Sequence, residues 1–130
     1  MSNVFIDDIR DPCHVKQAWH KGEWIEFPSH YTWEIVRSYD EFVRFITERG
    51  MPAIISFDHD LSFEHYPQGD LKIEPIDYSK FTEKTGYDCA KWLVDYCAEK
   101  DLDLPDFYVH SFNPVGRMNI ANYLVRYQEV

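Results

Sequence analysis

Positive charge is what this sequence has least of: 13 lysines and arginines stand against 23 aspartates and glutamates, a formal net charge of −10. The basic residues form no cluster. A protein that tracks along duplex nucleic acid draws most of its affinity from a basic stripe that neutralises phosphates, so that class of function is excluded. A small nucleotide, or the end of an RNA strand, stays open if a divalent cation bridges the repulsion. Long apolar runs are also missing: nothing approaches the roughly 20 residues of a membrane span. The opening Met1-Ser2-Asn3-Val4 lacks the basic start and apolar middle of a signal peptide. Cysteine is scarce, and Cys13, Cys89 and Cys97 show no paired metal-ligand spacing. These features together predict a cytoplasmic protein with no membrane partner. What is plentiful is apolar surface. At 45% hydrophobic and 17% aromatic, 130 residues suffice for one domain with a real core.

The chain alternates strand-like and helix-like stretches. Residues 3–6 form an apolar run that stops at Asp7-Asp8, the pattern of a buried strand entering a polar loop. Residues 33–37 read as a second strand. Ser38-Tyr39-Asp40-Glu41 is a capping-box start for a helix with Phe42, Phe45 and Ile46 on one face, ended by Gly50 and Pro52. Residues 53–57 form a third strand, ending in Asp58-His59-Asp60. Thr85-Gly86-Tyr87-Asp88 opens a helix whose buried face repeats as Ala90, Leu93, Val94 and Cys97. Residues 107–109 make a fourth strand, ending in His110-Ser111. Asn113 then caps a last helix containing Met118, Ala121, Leu124 and Val125. Stretches at about 11–32 and 61–84 read as irregular insertions in a single domain spanning 1–130. The predicted fold is α/β: a mostly parallel four-stranded sheet with helices on both faces.

In open parallel sheets, sites form beyond the carboxyl ends of the strands. That rule gathers Asp7, Asp8, Asp58, His59, Asp60, His110 and Ser111 at one rim. An isolated aspartate at a strand end is more often a cap than a ligand. Four carboxylates from adjacent strand ends repel one another unless a hard cation is bound, so Asp7, Asp8, Asp58 and Asp60 are candidate ligands for Mg²⁺ or Mn²⁺. Removing one charge, as in Asp7→Asn or Asp8→Asn, is therefore expected to stabilise the metal-free protein. His59 and His110 are candidates for acid–base work near neutral pH, against the commoner reading of a buried strand-end histidine as structural. Arg10, Ser111, Asn113, Gly116 and Arg117 offer donors for a phosphate. Trp19 and Trp24 read as core or as stacking partners for a base.

The strings Phe5-Ile6-Asp7-Asp8-Ile9-Arg10, Ile55-Ser56-Phe57-Asp58-His59-Asp60-Leu61, Thr85-Gly86-Tyr87-Asp88 and Val109-His110-Ser111-Phe112-Asn113-Pro114-Val115-Gly116 span most of the chain. They resemble the cyclic-phosphate-processing receiver-like family, with its DDxR, DHDL, TGYD and HSxNPxG elements, a relative of response-regulator receivers. The resemblance implies a receiver-like (Rossmannoid) fold. In receivers the acidic pair and the third-strand aspartate bind Mg²⁺, that aspartate accepts a phosphoryl group, and a Ser/Thr contacts it. The equivalents here are Asp7-Asp8, Asp58 and Ser111. The family is proposed to act on cyclic phosphates such as those at RNA ends, which implies a metal-dependent phosphoesterase with Asp58, His59 and His110 as catalytic residues. The chain departs from true receivers: no fifth strand follows the last helix, and the first crossover lacks a regular helix. The rival expectation is a non-catalytic module, either a phosphoacceptor or a binder of a nucleotide or protein.

Overall fold

In the computed structural model, which describes residues 2–65 and 75–128, four parallel strands form where apolar runs predict them. β1 (Asn3–Ile6) lies between β4 (Glu34–Val36) and β5 (Ile54–Phe57), and β6 (Asp106–Val109) pairs with β5, all parallel. Counting these four in chain order, the arrangement is second, first, third, fourth. That is the flavodoxin-like order, whose crevice opens beyond the carboxyl ends of the first and third strands. β1, β5 and β6 each end in three buried residues, as strands covered on both faces do.

The expected four strands fall short of the six among the described residues, ordered β3-β2-β6-β5-β1-β4. β2 (Gln17–His20) and β3 (Glu23–Glu26) form an antiparallel hairpin inside the first insertion, and β2 pairs antiparallel with β6 through Trp19 and Val109. A strand from the insertion thus occupies the flank where a fifth parallel strand would stand. The hairpin eludes pattern reading because each arm is four residues with polar ends. Its turn, Lys21-Gly22, takes positive φ at both positions (50° and 85°) without the Asn-Gly or Asp-Gly signal of such turns.

α1 (Tyr39–Arg49), α2 (Gly86–Lys100) and α3 (Pro114–Gln128) begin at the predicted caps. Ser38 Oγ accepts from Glu41 N at 3.2 Å, and Asn113 Oδ1 from Gly116 N at 2.9 Å. Buried Phe42 and Ile46 match the predicted face of α1 and buried Ala90, Leu93 and Cys97 that of α2, while Phe45 and Val94 are partly buried. On α3, Ile120, Ala121 and Leu124 are buried, while Val125 is exposed.

The three helices share one core with Val4, Ile6, Ile55, Phe57 and Val109. The other face, with Phe5, Ala18 and Tyr108, is closed by Val15, Phe27 and Trp33. Helices on both faces are therefore corrected to helices on one. The first crossover has prolines and no helical period, so it covers the sheet with side chains, Phe27 stacking on Trp33 with centroids 5.2 Å apart. Part of the second insertion, at 66–74, lies outside the described residues. Among the described residues no helix is long and apolar enough to cross a membrane.

Candidate active site

The sheet's backbone pairing continues one residue past the strands and lines up the site. Asp7 N donates to Val36 O (3.1 Å), Asp58 N to Ile6 O (2.9 Å) and His110 N to Phe57 O (2.9 Å). Three neighbouring strand ends are thereby held level, and ligand atoms of Asp7, Asp58 and His110 come within 4.8 Å of one another. Asp8 follows on the same loop, half-buried, and its charge reaches Asp58.

The two central aspartates have opposite surroundings. Asp7 Oδ1 accepts from Ile9 N (3.0 Å) and Arg10 N (2.8 Å), and Oδ2 from Arg10 Nε (2.8 Å) and His110 Nε2 (3.1 Å). Burial alone would raise its pKa. The hydrogen bonds from His110 and from the Arg10 and Ile9 backbone outweigh burial and hold the carboxyl down at about 2. The expectation that Asp7→Asn stabilises the protein is therefore reversed. Asp58, equally buried, accepts from His59 N at 2.9 Å. Burial pushes its carboxyl well above the ordinary range, the charges of Asp7, Asp60 and Asp8 add to this, and Arg10 only partly offsets them.

Both histidines reach the rim, yet each ring uses both nitrogens inside the protein. An ionised Asp7 can only accept, so His110 Nε2 carries the proton, and Nδ1 accepts from Ser56 Oγ at 2.6 Å. Serine, histidine and aspartate thus stand in line as in a hydrolase triad. The serine is wholly buried within β5, however, and cannot meet a substrate. Burial holds His110 at a pKa of about 4 despite the Asp7 contact, and its ring stacks on Phe5 at 4.4 Å. His59 belongs to a second chain: Asn119 Nδ2 donates to Tyr78 Oη (3.0 Å), Tyr78 Oη to His59 Nε2 (2.9 Å), and His59 Nδ1 to Asp60 Oδ1 (2.7 Å). Asp60 also accepts from Asn113 Nδ2 at 3.2 Å, so it is turned toward α3.

Arginines bracket the loop after β6. Arg10 Nη2 lies 3.4 Å from His110 O and 3.5 Å from Asp58 Oδ1, while Arg117 Nη1 reaches Ser111 O at 3.4 Å and its guanidinium covers Trp24 at 4.8 Å. Among the described residues Arg10 Nη1 and Arg117 Nε are buried without a hydrogen-bond partner. Ser111 is buried, and its Oγ accepts from Asn113 N at 3.1 Å. The Gly116 N–H, expected to be free for phosphate, is taken by Asn113, and Gly116 itself makes room for His59: a Cβ there would lie 2.3 Å from His59 Cγ. Gly86 is needed for the same kind of reason, since a Cβ would lie 1.8 Å from the Asp58 carbonyl. Thr85 and Asp88 cap α2 reciprocally, so this element seats the loop after β5 rather than a ligand.

These loops are also where a comparison with known families is decided. Residues 2–126 match the cyclic-phosphate processing receiver domain. The chain belongs to that family. No curated protein and no solved structure matches it. In this receiver domain the donors fit a divalent cation on chemical grounds: Asp58 is a buried carboxylate beside three others, oxygen ligands of the hard kind that Mg²⁺ takes. Sequence reasoning missed Arg37, which pins the loop after β1 through Asp7 O (3.2 Å), Arg10 O (2.7 Å) and Asp11 Oδ1 (2.6 Å). It also missed Ser56, Tyr78 and Asn119. Ser56 left a visible signal, a hydroxyl inside an otherwise apolar strand. Tyr78 and Asn119 left none, because their pairing exists only in three dimensions.

Proposed function

We propose that this receiver domain binds Mg²⁺ or Mn²⁺ at Asp58 and Asp8, with Asp7 and Asp60 adding charge, and hydrolyses a cyclic phosphate on a nucleotide or RNA end. The observation that carries this reading is Asp58: a buried carboxylate that repulsion and burial oppose, beside an Arg10 nitrogen with no hydrogen-bond partner among the described residues. Bound there, a divalent cation supplies charge neutralisation and polarises a phosphoryl oxygen. Arg10 donates through Nη1 to a second phosphoryl oxygen. Water adds to phosphorus, one ring P–O bond breaks, the ribose oxygen takes up a proton, and a phosphate monoester remains. The histidines enter as positioning residues. Ser56, His110 and Asp7 hold the Arg10 guanidinium in place through the 2.8 Å Asp7–Arg10 pair, and Tyr78, His59 and Asp60 hold Asn113 and the loop bearing Ser111.

The test is a turnover screen of nucleoside 2′,3′- and 3′,5′-cyclic phosphates and of RNA ending in a cyclic phosphate. Turnover should require Mg²⁺ or Mn²⁺ and fall at least about a hundredfold in Arg10→Ala, as on losing a preorganised donor. Absence of turnover with every substrate, together with trapping of phosphate on Asp58 from acetyl phosphate, gives the site to a phosphoacceptor instead.

A further inference from the structure

The two most exposed large apolar side chains among the described residues both stand at the mouth of the acidic site. Phe112 is 75% exposed, between Ser111 and Asn113, and Ile9 is 69% exposed, beside Arg10. The other exposed large apolar side chains reach 40% at most. Single exposed apolar residues are ordinary on any surface, so exposure alone carries nothing. Phe112 is set apart by what it touches. Arg10 Cζ lies 4.8 Å from the ring centroid, and the same guanidinium lies 3.5 Å from Asp58 Oδ1 with Nη1 unpartnered. One flat cation therefore joins an exposed aromatic ring to the carboxylate. The loop that carries the ring is tied down on its far side, because Asn113 N donates to Ser111 Oγ and Asn113 Nδ2 to Asp60.

Resting on the reading of a cyclic phosphate at Asp58 and Arg10, we propose that Phe112 is the stacking platform for a nucleobase. The substrate class is then a nucleoside cyclic phosphate, and a sugar cyclic phosphate without a base is a poor substrate. In a nucleoside 2′,3′-cyclic phosphate the base and the phosphate are carried by neighbouring carbons of one ribose. That closeness suits an aromatic ring and a phosphate-binding guanidinium already in contact. An aromatic face stacks on any base without reading its edge, so the discrimination is base against no base.

The experiment compares adenosine 2′,3′-cyclic phosphate with base-free ribose 2,3-cyclic phosphate, using the intact protein and Mn²⁺. Wild type should prefer the adenosine compound in kcat/KM. Phe112→Ala should shrink that preference by roughly 5- to 150-fold, the worth of one stacked base, and Phe112→Trp should keep it. Equal handling of the two compounds by wild type, or a preference that survives Phe112→Ala, overturns the proposal. Binding of adenosine 3′-monophosphate, measured by calorimetry, separates this proposal from the reading beneath it. Nucleotide binding that depends on Phe112, without turnover of either compound, ends the hydrolytic reading and keeps the platform. Turnover that ignores Phe112 ends the platform and keeps the hydrolase. Neither turnover nor binding ends both.

Discussion

Asp7 and Asp58 stand at the ends of adjacent strands, yet exchanging each for asparagine should move stability in opposite directions. Asp58→Asn removes a charge that burial and three nearby carboxylates oppose. The contact from His59 N, 2.9 Å to Oδ1, survives because asparagine keeps an amide oxygen. What is lost is the 3.5 Å attraction to Arg10, whose Nε stays on Asp7 at 2.8 Å. Relief of a functional strain of this kind commonly yields about 0.5–2 kcal/mol, a rise in Tm of roughly 2–10 °C for a domain of this size. Asp7→Asn does the reverse. Its carboxyl is displaced from 3.8 to about 2. At about 1.4 kcal/mol for each tenfold change in proton affinity, the ionised form contributes about 2 kcal/mol. Because the folded value lies below the unfolded one, that stability is complete above about pH 4 and disappears as pH falls through about 2. Asparagine would also aim its NH₂ at two donors, either Arg10 Nε and His110 Nε2 at the Oδ2 position or the Ile9 and Arg10 N–H groups at the Oδ1 position. A fall in Tm of roughly 5–10 °C follows. Thermal melts near neutral pH in chelator read both changes, and a Mn²⁺ titration of the melts reads the cation. Wild type should be stabilised by Mn²⁺ as mass action requires, with at least about tenfold weaker apparent affinity in Asp58→Asn. A lower Tm for Asp58→Asn in chelator would refute the reasoning, because Asp58 would then be a structural cap.

Gly86→Ala should cost at least about 3 kcal/mol in urea unfolding, because its Cβ would meet the Asp58 carbonyl at 1.8 Å and backbone cannot turn aside; a near-neutral variant would mean α2 can back away from β5. Gly116→Ala should cost about 1–3 kcal/mol and weaken Mn²⁺ binding, since His59 can yield only by leaving Asp60 or Tyr78. His110 has a folded pKa of about 4, below its ordinary 6.5, so the fold prefers the neutral ring: its contribution is complete above about pH 6.5 and is lost as pH falls toward 4. Imidazole ¹⁵N spectra should therefore show His110 still neutral and protonated on Nε2 at about pH 5; a cationic ring there would contradict the buried Ser56–His110–Asp7 geometry.

The sequence carried the rim more plainly than the sheet. Apolar runs at 3–6, 53–57 and 107–109, each broken by an acidic residue or a histidine, marked strand ends because a buried strand cannot continue through a charge. Capping-box sequences at Ser38 and Thr85 marked helix starts because cap hydrogen bonds are local, the reciprocal pair being complete at Thr85 and one-way at Ser38. The β2–β3 hairpin was hidden because its stability comes from Trp19 meeting Val109 and from Phe27 covering Phe5, contacts remote in sequence. The buried face of α3 was not legible, because Met118, Ile120, Ala121, Leu124 and Val125 offer two overlapping apolar stripes, and only packing against the core chooses between them. Membership of the site was legible, but the direction each side chain faces was not. His59 and His110 look alike as strand-end histidines, and only the structure shows Tyr78 and Ser56 closing their second nitrogens.

That difference also explains why one aspartate is settled and the other is not. After β1 the chain turns at once, so the N–H groups of Ile9 and Arg10 fold back onto Asp7, and Arg37 clamps the turn from the end of β4. Asp7 is thus neutralised by its own loop before any ligand arrives. After β5 the chain is pulled the other way. Gly86 N donates to His59 O at 2.8 Å, and Asp60 turns to His59 and Asn113. The backbone that might have capped Asp58 is committed to α2 and α3, and among the described residues only the neighbouring His59 N–H reaches it. A folded chain that places a carboxylate in its interior and spends the nearby donors elsewhere leaves that charge to be met from outside. Arg10 meets part of it, and the remainder is what a divalent cation would supply.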